Sequence, residues 1–166
     1  MDKLLLRSQL AFDNCQEHLE KSNAWGTEIE SYLTQHVLVI MCADIQQELY
    51  RVLEQRAEKA GDIPLKTYAV ATCKRVLRSI GKSEVAGFVG YFGSNAKEFL
   101  DNNIDDKEVT IYNNAVSGRH DVAHKSGANI TFRELEEAMN AARNVIKVVS
   151  KAISLDVEAA RVNKAF

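Results

Sequence analysis

The side chains best suited to chemistry gather in one stretch, residues 111–126, IYNNAVSGRHDVAHKS, which holds Arg119, His120 and His124. Imidazole has an unperturbed pKa near neutrality, so a histidine can take and return a proton at working pH. A guanidinium offers a planar fork of donors that suits phosphate oxygens. Together they suit cleavage of RNA without a metal. The neighbouring 2′-OH attacks phosphorus, and the reaction needs a base for its proton, charge relief at phosphorus and an acid for the leaving 5′-oxygen. His124 is the candidate acid/base and Arg119 the candidate transition-state clamp. His120, one turn before His124, is the candidate second proton-transfer or orienting group, and the adjoining Lys125 a supporting cation. Two other readings use the same residues. His120 and His124 at i, i+4 could aim at one ion, and HDVAH is similar to the zinc-protease pattern H-E-x-x-H. Asp in place of Glu is one methylene shorter, and no downstream residue is marked out as a third ligand. The plainest reading is two histidines on a bundle surface.

The stretch is predicted to be one helix. At about 100° per residue, Asn113, Ser117, His120 and His124 form one polar stripe. Asn113 and Ser117 could then hold the scissile phosphate or fix an imidazole tautomer. Ile111, Tyr112, Ala115, Val116, Val122 and Ala123 form a broad apolar face, and Arg119 falls in its middle. A guanidinium stays charged, so that face needs a carboxylate, a ligand or a wet cleft. Asp44 and Glu48, near the middle of an earlier helix, are the candidates to neutralise it; simple solvation is the alternative for both.

The rest of the chain reads as helices. Proline occurs once, at Pro64, glycine is sparse, and strand-like alternation is hard to find. Residues 2–22 carry apolar groups at helical spacing. Residues 27–60 read as a long helix opened by a Thr27–Glu30 capping box and stopped at Gly61. Its centre, 37–43, is apolar all round, the mark of a buried central helix. Pro64 suits the first turn of a helix over 64–80, which carries Lys74, Arg75 and Arg78, with Lys82 just beyond. That basic cluster reads as a solvated face or as a patch that tracks phosphates. Residues 83–101, broken by Gly87, Gly90 and Gly93, read as two short helices. The central stretch follows, starting near Asp105. Thr131 and Glu134 form a second capping box before a last amphipathic helix, and after Leu155 the pattern fades. The fold class is all-α, an up-and-down bundle of long antiparallel helices in one domain, residues 1–166.

Bulk properties narrow the function. A net charge of −2 means that any nucleic acid must be met by a local patch. Hydrophobic residues at 46% and charged residues at 27% fit an ordinary globular domain. No apolar run approaches a membrane span, and nothing reads as a signal peptide. The three cysteines, Cys15, Cys42 and Cys73, lack ligand spacing and read as reduced thiols of a cytoplasmic protein.

Arg119, four intervening residues and His124, with a polar residue directly after the arginine, resemble the signature of the HEPN family. The neighbourhood GRHDVAHKSG, followed by a capped last helix, is most similar to the RiboL-PSP-HEPN subgroup. The resemblance implies a helical bundle and a ribonuclease of toxin–antitoxin or anti-phage defence type, needing no metal and no cofactor. It implies RNA as substrate and an antitoxin or other regulatory partner. It also implies a homodimer whose composite cleft holds two arginines and two histidines. That would resolve a difficulty of geometry, since Arg119 and His124 lie about 140° apart around one helix. Some HEPN domains instead bind RNA, nucleotides or proteins without catalysis, and that remains the alternative.

Overall fold

The computed structural model describes residues 4–124 and 130–154; for 120–124 only the backbone is described. The described residues form seven helices: α1 (Leu6–Ser22), α2 (Glu28–Glu58), α3 (Ile63–Val76), α4 (Lys82–Gly90), α5 (Ser94–Asn102), α6 (Asp106–His124) and α7 (Glu134–Ala152). No described residue is in a strand, and the all-α reading stands. No described helix is long and apolar enough to cross a membrane. The long α2 is the hub and packs against α1, α3, α6 and α7.

Local chemistry sets most of the boundaries. Thr27 accepts from the Ile29 amide at 3.2 Å, and the Glu30 carboxylate accepts from the Gly26 amide at 2.7 Å. These bonds satisfy amides that the first turn of α2 leaves without partners. Gly61, at φ 74°, supplies the left-handed residue that ends this part of the chain. Asp62 accepts from the Leu65 amide at 2.9 Å, and Pro64 sits in the first turn of α3. Before α7, Glu134 accepts from the Thr131 amide at 2.7 Å, while Thr131 Oγ1 accepts from the Glu134 amide at 3.4 Å. This reciprocal box holds the Glu134 carboxyl below its ordinary pKa. The apolar stripe of α7, including Leu135, Met139, Ala142, Val145, Ile146 and Val149, is buried against the hub and α6.

Three expectations need correction. The third helix ends at Val76, not at residue 80. Leu77 and Ile80 turn inward and are buried, and α2 supplies partners for the carbonyls that a longer helix would have used. Burial of two large aliphatic groups outweighs one more turn of exposed helix. The first helix starts at Leu6, with Leu5 buried in the left-handed region at φ 58°. The apolar centre of α2 is not enclosed: Val39 is 44% exposed and Ala43 is exposed as well. The neighbours of α2 leave one side open.

Candidate active site

The site is built where α6 packs against the buried Leu38 and Cys42 of α2, next to the open side of that helix. Glu108 near the start of α6 accepts from Asn144 of α7 at 2.8 Å, and Gly118 near its end faces Ile130, just before α7, so the neighbouring helices α6 and α7 run antiparallel. Tyr112 of α6 lies within electrostatic range of Cys42 of α2, and Gly118 of α6 rests against Leu38 of α2. The chain thus runs up α6 as it runs down α2. A Cβ at Gly118 would lie 3.3 Å from Leu38 Cδ2 and 3.8 Å from Ile130 Cγ2. Glycine lets the two backbones approach here, and the residue fixed next to that close contact is Arg119.

Arg119 points toward α2, as helical periodicity requires, yet it is exposed. Of the carboxylate, the ligand and the wet cleft that such an arginine needs, exposure to water is what the structure shows. Gly118, next to it in the chain, rests on the buried Leu38, and on α2 the adjoining Val39 is 44% exposed. The arginine's charge is felt by the Cys42 thiol: burial pushes that thiol up to about 11, and Arg119 opposes the rise.

Asp44 and Glu48 do not neutralise Arg119. Asp44 Oδ2 accepts from the Ser8 amide at 2.9 Å and from Ser8 Oγ at 2.8 Å, and its Oδ1 lies 3.6 Å from Arg7 Nε. It closes the first turn of α1 from a different helix and sits favourably at the positive end of that helix. Glu48 accepts from Arg51 Nε at 2.8 Å and Nη2 at 2.6 Å. The reason is angular. Relative to Cys42, Asp44 and Glu48 lie about 160° and 120° away around α2, off the side that meets Arg119.

Asn113 has a similar bridging role. Its Oδ1 accepts from the Lys82 amide at 3.0 Å, capping the first residue of α4 from across the fold. Ser117, the next member of the polar stripe, is exposed. His120 and His124 lie within the helical backbone of α6, on the same wheel positions as Asn113 and Ser117. Their side chains, and the whole of Lys125, fall outside the described residues.

Between α3 and α4, residues 77–81 form a strap tied to both helices of the site. Tyr50 Oη donates to the Leu77 carbonyl at 3.0 Å. Gln46 Nε2 stands 3.4 Å from the carbonyls of Leu77 and Arg78. From α6, the buried Tyr112 donates its hydroxyl to the Ile80 carbonyl. Burial drives the Tyr112 phenol far above its ordinary pKa, so it serves as a neutral donor and not as an acid/base group. Of the basic cluster, Lys82 is ion-paired with Asp101, and Lys74 lies 5.7 Å over the Tyr50 ring. Arg75 and Arg78 are exposed.

Sequence reasoning missed Gly118, Gln46, Tyr50 and Tyr112. Only two carried a local signal: a glycine inside a helix, and a hydroxyl on an apolar face. Gln46 and Tyr50 act on residues far along the chain and carried none.

A family model described as RiboL-PSP-HEPN matches residues 12–155. The chain belongs to the RiboL-PSP-HEPN family. No curated protein and no solved structure matches it. The matched range takes in the described site, from α2 to α7, including Gly118, Arg119 and the positions of both histidines. The seven helices and the lack of strands among the described residues agree with an all-α HEPN bundle, and the family suggests a ribonuclease or RNA-related module.

Proposed function

We propose that this HEPN chain is a metal-independent endoribonuclease of toxin or anti-phage defence type, acting in the cytoplasm. The observation that carries the reading is Arg119: Gly118 ties its backbone to α2, and its guanidinium stands in water five residues before His124 on the same helix. An arginine so placed is available to phosphate, and a histidine further along the helix supplies the proton chemistry. In this reading His124 takes and returns protons at the 2′-OH and the leaving 5′-oxygen. Arg119 stabilises charge on the phosphorane-like transition state, and His120 orients His124 or acts as the second proton-transfer group. Lys125 adds positive charge at the end of the site, and Ser117 lies on the substrate side of the stripe.

The site is completed by a second copy. The offset of about 140° between Arg119 and His124 prevents one straight helix from aiming both at one phosphate. Along α2, Tyr32 is exposed at 63% and Val39 at 44%, together with His36 and Ala43. Their spacing of i, i+4, i+7 and i+11 makes a single partly apolar stripe, of the kind that joins helices between subunits. An active enzyme of this kind needs restraint, so an antitoxin or other regulatory partner belongs to the proposal.

The test is cleavage of RNA by wild type, Arg119→Ala and His124→Ala, all with a chelator present. Loss of the acid/base is expected to cost about a hundred- to ten-thousand-fold, and loss of the clamp about a hundred- to a thousand-fold. The product should carry a 2′,3′-cyclic phosphate or its 3′-phosphate hydrolysis product, and a 2′-deoxy residue at the cleavage point should block the reaction. Sedimentation should give about twice the chain mass. Equal degradation by wild type and His124→Ala would remove His124 from the mechanism. Binding of RNA without cleavage under any condition would favour a non-catalytic RNA-binding module.

A further inference from the structure

The strap between α3 and α4 holds one more arginine close to this site. Leu77 and Ile80 are buried anchors, whereas Arg78 between them is exposed. The Arg78 carbonyl is held by Gln46, and the strap is also held by Tyr50 of α2 and by Tyr112 and Asn113 of α6. The backbone on both sides of Arg78 is therefore located by the same two helices that locate Arg119. Gln46 lies eight residues beyond Leu38 on α2, and Leu38 is the residue on which Gly118, the neighbour of Arg119, rests. Eight residues of helix rise about 12 Å, roughly the reach of three or four stacked nucleotides at about 3.4 Å each. The strap also bonds the Asn113 side of α6, the side on which Ser117 and the two histidine positions follow.

We infer that Arg78 is a substrate-binding residue that contacts an RNA phosphate about three or four nucleotides from the scissile one, an inference that rests on the ribonuclease reading. The strand runs along α6 from the His124 level, past Arg119, to the strap. Other members of the basic cluster are less suited. Lys82 is committed to Asp101, Lys74 lies against Tyr50, and Arg75 belongs to α3, which has no buried residue to fix it. Among the described residues no carboxylate is paired with Arg78, and its anchored main chain limits the entropy lost when its side chain binds.

The experiment compares Arg78→Ala, Arg78→Lys and the wild type on a single-stranded RNA that extends several nucleotides beyond the cleavage point on both sides. Lys107→Ala, exposed at the start of α6, is the control for general charge loss. The Arg78 main-chain bond to Gln46 survives these substitutions, and thermal melting confirms that each variant is folded. For Arg78→Ala, KM is expected to rise about three- to tenfold, with kcat little changed. The slope of log affinity against log salt should fall by about 0.7, the value for one phosphate contact on a single strand. Arg78→Lys should recover most of the slope, because it keeps the charge, and Lys107→Ala should leave it as in wild type. The penalty should shrink on a dinucleotide, which cannot reach the strap. An unchanged slope with cleavage intact overturns the Arg78 contact and leaves the ribonuclease reading in place. A loss confined to kcat also overturns it, because that would put Arg78 at the reacting phosphate. A wild type that neither binds nor cleaves RNA removes the ribonuclease reading and this inference together.

Discussion

Asn113→Ala is expected to destabilise the fold before it affects chemistry. The Asn113 side chain accepts from the Lys82 amide at 3.0 Å, at the first residue of a nine-residue helix. The local N-cap, Gly81, has no side chain to take that amide, so Asn113 is the residue that satisfies it. Loss of a capping acceptor costs about 1 kcal/mol, within a range of about 0.5–2. In a chain of 166 residues that lowers the melting midpoint by about 2–4 °C. Asn113→Asp keeps an acceptor in place and adds negative charge at the positive end of α4, a gain of about 0.3–1 kcal/mol at an exposed site. Glu84, whose carboxylate already folds back beside Gly81, offsets part of that gain. Asn113→Asp should therefore melt close to wild type. Thermal and urea unfolding followed by far-UV circular dichroism measure both, with RNA cleavage assayed well below either midpoint. The capping argument predicts that Asn113→Ala loses stability and retains most activity. An unchanged midpoint with cleavage abolished would refute it and return Asn113 to the substrate.

Two further outcomes test the packing of the site. Gly118→Leu should destabilise strongly, by about 3 kcal/mol or more, because even a Cβ would press on the fully buried Leu38 at 3.3 Å. Gly118→Ala sets a helix-propensity gain of about 1 kcal/mol against that contact and should lie near neutral; a clearly stabilised Gly118→Ala would show that Leu38 yields freely. The Cys42 thiol, raised by burial from 9.0 to about 11, binds its proton more tightly in the folded state. The stability it contributes is therefore full below the unfolded value and is lost as pH rises toward about 11. Urea midpoints measured between neutral and alkaline pH should fall more steeply for wild type than for Cys42→Ala, and parallel curves would contradict the burial argument.

The sequence alone determined most of the helices and singled out Arg119, His120 and His124 as candidate reactive residues. Thr27, Gly61, Pro64 and the Thr131–Glu134 box act on amides or backbone angles a few residues away, so their effects are legible in the local order of residue types. The helical stretch with Arg119, His120 and His124, and the resemblance carried by Arg119 and His124, belong to the same kind of information, and the matched family agrees with it. Only the tertiary structure decided what these residues meet. Asp44 and Asn113 looked like members of the site by position, yet each caps a helix, 36 and 31 residues away along the chain. Arg119 looked misplaced because a wheel shows direction and not what stands there; in the structure it is exposed. The strap ended α3 early because Leu77 and Ile80 found burial and Gln46, Tyr50 and Tyr112 supplied donors for its carbonyls. A contact between distant segments depends on how whole helices pack, and residue spacing within one segment carries no record of it.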